Sequence, residues 1–234
     1  MTLLLLLGCA AAPPADPCLG AGALSPCLAP VMGEDHYVGQ AELYFDTMDS
    51  TVPLTSFPAY SELVARWEWP PWLKLTAFGR EGIETADALL RLYPSTVPIR
   101  DCRAFAEQPF ARCRVTFFYE DHQGQPCPIY EEFSFNDQGE VTFIEAWSDL
   151  PAYLPMAPDD PWAEGTEVER LSWRIPGLGT PTGRIDLDSP QMQDAAAEDA
   201  DVADFVAHAE DWFQTWLQEY EAAGDALWEE GCGW

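Results

Sequence analysis

The sequence predicts an α+β fold, and three observations predict it. Apolar residues recur at helical spacing before residue 94, alternate with polar ones between residues 98 and 147, and return to helical spacing after residue 189. Helices followed by a run of short strands joined by tight turns is the pattern of an α+β domain. With 234 residues, 47% of them hydrophobic and 13% aromatic, the chain has material for one core with an extension, or for two small domains.

The elements follow in order. Residues 33–49 read as a helix, because Tyr37, Ala41, Tyr44, Phe45 and Met48 fall on one face. Residues 60–67 read as a second, short helix stopped by Pro70-Pro71. Residues 84–93 read as a third, with Ala86, Leu89, Leu90 and Tyr93 on one face and Pro94 as its stop. Period two then marks strands at 98–105, 111–121, 129–135 and 141–147. Asn136-Asp137-Gln138-Gly139 is a hairpin turn with Gly139 suited to positive φ, and His122-Gln123-Gly124-Gln125-Pro126 is another. Residues 150–188, rich in proline and glycine, read as irregular. Ser189 is a candidate N-cap with Pro190 at the first helical position, and the following stripe of Phe205, Val206, Ala209, Trp212, Phe213, Trp216, Leu217 and Tyr220 is amphipathic. Gly224 marks a cap or a kink.

Charge and cysteine content narrow the setting. Forty acidic residues against eleven basic ones give a net charge of −29. Such a field repels a phosphate backbone and anionic headgroups, so no nucleic-acid partner is expected. Leu3–Leu7 form an apolar run, and Leu6-Leu7-Gly8-Cys9 resembles a bacterial lipobox, in which the cysteine is acylated and anchors the mature chain in a lipid bilayer. Read this way, residues 1–8 are a signal segment, 9–33 a Pro/Gly/Cys-rich tether, and the protein is a lipid-anchored one of the bacterial cell envelope. Were the segment not a signal, the chain would be cytoplasmic. Beyond Cys9, six cysteines remain, namely Cys18, Cys27, Cys102, Cys113, Cys127 and Cys232. An even number suits an oxidising compartment and up to three disulfides, with fifteen pairings open. No Cys-x-x-Cys pair exists and there are three histidines, so no metal site is expected; no cofactor is expected either.

Three stretches carry a family resemblance. Glu42-Leu43-Tyr44-Phe45-Asp46 resembles the first helix, and Gly82-Ile83-Glu84-Thr85-Ala86 the start of the third helix, of the nuclear transport factor 2-like superfamily, which includes ketosteroid isomerases and polyketide cyclases. The run from Tyr130 to Asp149, with its Asp137-Gln138-Gly139 turn and Trp147-Ser148-Asp149 ending, is similar to that family's final hairpin. The resemblance covers residues 34–156 and leaves 157–234 as an irregular segment and amphipathic helix. It implies a cone, in which a curved antiparallel sheet wraps the N-terminal helices and leaves an apolar cavity at its mouth. A fold of this kind does not imply an activity.

Chemistry is sought on the last strand. Val141, Phe143, Glu145 and Trp147 share one face by period two, and that bulky face is expected inside. Glu145 is then an acid among aromatics, with burial raising its pKa toward general acid–base work. Tyr130, on the neighbouring strand with Glu132, is its candidate partner, donating a hydrogen bond to a substrate carbonyl as the resemblance implies. Tyr44, Phe143 and Trp147 are the candidate pocket lining. If the face carrying Arg112 and Arg114 looks into the cone, Arg114 pairs with Glu145; if the more apolar Cys113-Val115-Phe117 face does, both arginines lie on the surface. His36, His122 and His208 read as exposed. Gly177-Leu178-Gly179 has the wrong spacing for a dinucleotide loop, and no Gly-x-Ser-x-Gly or His-Glu-x-x-His is present. Two functions remain: non-catalytic binding of a small apolar ligand or an envelope partner, or an isomerase- or cyclase-like enzyme using Glu145 and Tyr130.

Overall fold

The structure, a computed structural model, describes residues 28–154, 162 and 170–234. Cys9, Cys18 and Cys27 lie outside the described residues, as do the signal segment and most of the expected tether. The described part of the chain begins with Leu28, which is buried in the main core, and Tyr37 Oη accepts hydrogen bonds from the backbone N–H groups of Val31 and Met32.

The fold is α+β. Helix α1 (Glu34–Met48) is followed by β1 (Tyr60–Glu68), β2 (Leu75–Phe78), α2 (Arg80–Leu90), β3 (Ser95–Ala104), β4 (Ala111–Tyr119), β5 (Gln125–Phe135) and β6 (Val141–Ser148). Four helices close the chain: α3 (Pro190–Glu198), α4 (Ala200–Ala209), α5 (Trp212–Ala223) and α6 (Ala226–Cys232). The six strands form one sheet in the order β2-β1-β6-β5-β4-β3, antiparallel except for the parallel pair β1–β6. The α1 face expected from the sequence is the buried one: Tyr37, Ala41, Tyr44, Phe45 and Met48 pack on the sheet. The β5–β6 turn is built by Asn136, whose Oδ1 accepts from the N–H groups of Gln138 and Glu140, and by Gly139 at φ 76°.

Residues 60–67 are a strand and not the expected helix. The reason is that both faces of β1 are buried. Tyr60 and Val64 join the core under α1, whereas Ala65 and Trp67 join a second core on the other side of the sheet. A strand covered on both faces loses its alternation and becomes indistinguishable from a helix by period alone.

The second core explains the extension. Leu171, Ile175, Leu178, Ile185, Met192, Val202 and Phe205 lie against Trp67, Leu75 and Phe143, so the C-terminal segment is a layer on the convex face of the sheet. Ser189 caps α3 by accepting from Met192 N–H, as the sequence implies. The single helix expected beyond it is broken at Asp199, which caps α4 by accepting from the Asp201 and Val202 N–H groups. Trp212 then packs against both cores, its ring beside Gly82 of α2. Past it, α5 and α6 turn around the sheet edge and bring Trp216, Tyr220, Leu227 and Trp228 to the concave side, over the cone mouth.

Among the described residues two disulfides hold this arrangement. Cys102 and Cys113 face each other directly on β3 and β4, and Cys127 of β5 is joined to Cys232 at the end of α6. Disulfides of this kind fit an extracellular or periplasmic setting. Among the described residues no helix is long and apolar enough to cross a membrane.

Candidate functional site

The cone interior holds a chamber of about 70 Å³. Met48 of α1 and Phe117 and Ile129 of the sheet form its walls, and Trp216, Leu227 and Trp228 close it from above. Its floor is charged. Glu68 on β1, Ala146 on β6 and Glu131 on β5 lie in one row across three strands. Because Ala146 is small, Arg66 reaches over it: Nη2 is 2.8 Å from Glu68 and 3.4 Å from Glu131. The Arg66 guanidinium also lies 5.8 Å from the centre of the Tyr44 ring. Asp87 of α2 stands behind, accepting from Tyr60 Oη at 3.0 Å.

Burial governs the acids of this floor. It pushes Glu131 up to about 7 against the pull of Arg66, and Asp87 to about 7 in the same way. Glu68 is raised for the same reason, with Arg66 again opposing. Arg66 Nε and Trp72 Nε1 both belong to residues that line the chamber, and neither finds a hydrogen-bond partner among the described residues. A buried N–H without an acceptor costs about 1–3 kcal/mol, so each of these groups is a local cost to the fold beside the chamber.

The expected site residues lie elsewhere. Glu145, Tyr130, Phe143 and Trp147 share a face, as period two requires, but it is the convex face, under the C-terminal layer. The concave face carries Cys113, Val115 and Phe117, the more apolar set. Arg112 is nevertheless not a surface residue; it is fully buried on the convex side, 3.6 Å from Glu132. Arg114 pairs with Asp149 and not with Glu145. Glu145 accepts from Trp69 Nε1 at 2.7 Å, Leu171 N at 2.5 Å, Ser172 N at 3.2 Å and Ser172 Oγ at 2.6 Å. Burial raises it to about 7 although the Ser172 hydroxyl opposes this. Tyr130 donates to Glu132, which also binds Arg170. These groups clamp residues 170–172 onto the sheet, and neither Glu145 nor Tyr130 lines the chamber. Tyr44, also expected in the pocket, is buried beside Arg66 in the core under α1 and does not line the chamber. Of the histidines, His122 is half-buried between Trp228 and Trp234, and His36 bonds the Gly139 carbonyl.

Sequence reasoning missed Arg66, Glu68, Glu131 and Trp72. A helical reading of residues 60–67 hid Arg66, and Glu68 stood just past its end. A signal for the third existed in the adjacent pair Glu131-Glu132, two acids in an apolar strand that necessarily face opposite ways.

The site and fold define a curved-sheet α+β protein with a small interior chamber. No protein-family model and no curated protein matches the chain. Solved structures are similar to it over part of its length, among them these two. One is designated a ketosteroid isomerase of Kribbella flavida, at 18% identity and TM-score 0.37, covering 58% of this chain and 96% of that one. The other is ActVI-ORFA of Streptomyces coelicolor, at 13% identity and TM-score 0.25, covering 49% and 92%. The fold class rests on the chain's own sheet order and helix placement.

Proposed function

We propose that the protein binds a small, mainly apolar ligand in the cone chamber, without chemistry on it. The observation that carries this reading is the combination of apolar walls, from Met48, Leu73, Phe117, Ile129 and Leu227, with a single charged pair, Arg66 and Glu68, at the same cavity. An apolar body with one polar group suits a chamber lined this way. The saturated hydrogen bonding of Glu145, on the far face, argues against its use as an acid or base.

Titration with phenol, read by tryptophan emission, tests the reading, because Trp72, Trp216 and Trp228 line the chamber. Saturable quenching that is abolished by Leu73→Trp, which fills the cavity, supports it. Absence of saturation, or quenching unchanged in Leu73→Trp, refutes it.

A second reading, proton transfer by an enzyme, is favoured by one observation: Glu131, buried beneath the chamber lining 3.4 Å from Arg66, is raised to about 7. Turnover of a cyclic ketone that disappears in Glu131→Gln but survives in Glu145→Gln would establish it. Acylation at Cys9 remains part of the proposal. It is supported by an intact mass that starts at Cys9 with added acyl chains, and removed by an unprocessed chain from the soluble fraction.

A further inference from the structure

Outside the chamber, and separated from it by Tyr93, Tyr119, Tyr220 and Trp228, lies a vestibule of about 250 Å³. It is roomier than the chamber and differently built. Tyr93 lies in the turn after α2, Tyr119 ends β4, Tyr220 lies on α5 and Trp228 on α6, so three elements and a turn each contribute a ring. The Tyr119 and Trp228 rings are 4.6 Å apart centre to centre, and those of Tyr93 and Tyr220 are 5.7 Å apart. His122 adds a fifth ring, 5.2 Å from Trp228. Trp228 is also stacked against Trp234 at 6.1 Å, and Trp234 is held in turn by donating Nε1–H to the Pro126 carbonyl. Trp228 is therefore held in place by its neighbours before any ligand arrives.

The charge around these rings has one sign. Asp121 and Asp225 stand exposed at the rim, and neither joins an ion pair among the described residues. No lysine or arginine lines the vestibule among the described residues. The whole molecule adds a field of −29. Aromatic faces carry negative charge at their centres, so rings on several sides with carboxylates at the edge attract a cation and disfavour an anion.

The geometry points to a binding site for a small organic cation, of the quaternary or primary ammonium class, in the vestibule at the cone mouth. The methyl groups or methylenes of such a cation contact the Tyr93, Tyr119, Tyr220 and Trp228 rings, and Asp121 and Asp225 supply the counter-charge. The site does not depend on the chamber being occupied, since Asp121, His122 and Asp225 belong to the vestibule alone.

The test compares choline with dimethylbutanol, its neutral carbon isostere, by calorimetric titration of the full-length, disulfide-intact protein. Shape is common to the two probes and charge is not. Choline is expected to bind about tenfold more tightly than the isostere or better. Its affinity is expected to fall severalfold when salt is raised from low to physiological strength. Asp225→Asn, which leaves the rings in place, is expected to weaken choline severalfold and leave phenol quenching unchanged; Trp228→Leu is expected to abolish choline binding. Should Trp228→Leu fail to fold, Asp121→Asn with Asp225→Asn serves instead. Equal affinity for the isostere, no choline binding, or choline binding indifferent to both aspartates overturns the inference. Phenol binding without choline binding sinks the cation site and leaves the chamber reading standing; the reverse sinks the chamber reading alone.

Discussion

Asp87, Glu131 and Glu145 are three carboxyl groups that folding holds at about 7, each because burial penalises its charged form. A group raised on folding binds more protons in the folded state than in the unfolded one. The stability it contributes is complete below its unfolded value, near 4, and is lost as pH rises through 7. The melting temperature is therefore expected to be highest on the acid side, near pH 5, and to fall between pH 5 and 8, as thermal melts across that range would show. Glu145→Gln is expected to flatten this fall. It should lower the midpoint at pH 5, because the amide nitrogen meets donors where a carboxyl oxygen accepts, and lower it less at pH 8, with about 2–4 °C between the two for each kcal/mol of difference. Arg66 is the opposite case. It is the buried cation between Glu68 and Glu131, so Arg66→Met leaves those charges uncompensated and is expected to cost about 3–5 kcal/mol in chemical denaturation at neutral pH. At this scale the sequence was informative about company but not about side. Period two correctly grouped Phe143, Glu145 and Trp147, with the acid among aromatics. It did not say which face α1 covers, because both faces of β6 are apolar and fully buried.

Among the elements, α1 and the β5–β6 hairpin were legible, since each has one dominant face or a turn with its own chemistry. Strand β1 was not, because it serves two cores and carries apolar residues on both sides. The C-terminal run was legible as helical but not as four pieces. Its stripe reads as one face, yet α4 spends that face on the convex core and α5 spends it on the cone mouth. Only a side-chain cap at Asp199 and Trp212 at the sheet edge mark where the direction changes. Helix α6, seven residues long, owes its position to three attachments: the Cys127–Cys232 disulfide, the Ser148 Oγ–H bond to the Gly231 carbonyl at 2.6 Å, and Trp72 lying flat on Gly231. A Cβ at Gly231 would come within 2.5 Å of the Trp72 ring. Cys127→Ser with Cys232→Ser removes a link across 105 residues and is expected to cost about 2–5 kcal/mol. The same double variant is expected to bind an apolar dye that the native protein excludes, which a fluorescence titration would show.

As a whole, the molecule is a sheet with a layer on each side, and its second layer is also the stopper of the first. Removing residues 212–234 is expected to leave the sheet and both its faces recognisable by circular dichroism while opening the chamber to solvent. Phenol and choline binding should both be lost, because the truncation takes Trp216, Tyr220, Leu227 and Trp228. The excess negative charge works at this scale too. Moderate salt is expected to raise the melting temperature at pH 8 by screening self-repulsion, and to do so less at pH 5.

The stopper has a consequence in time. Every strand of the sheet precedes α5 and α6 in the chain, and a growing or translocating polypeptide emerges in that order. The interior is complete as a bowl before the residues that roof it exist in folded form. On the ligand-binding reading, cargo present while the sheet folds meets a wider opening than the roofed protein offers, and the Cys127–Cys232 disulfide then holds the roof over it. Protein refolded from denaturant with the cargo present and protein offered it afterwards are the two histories that such a vessel distinguishes.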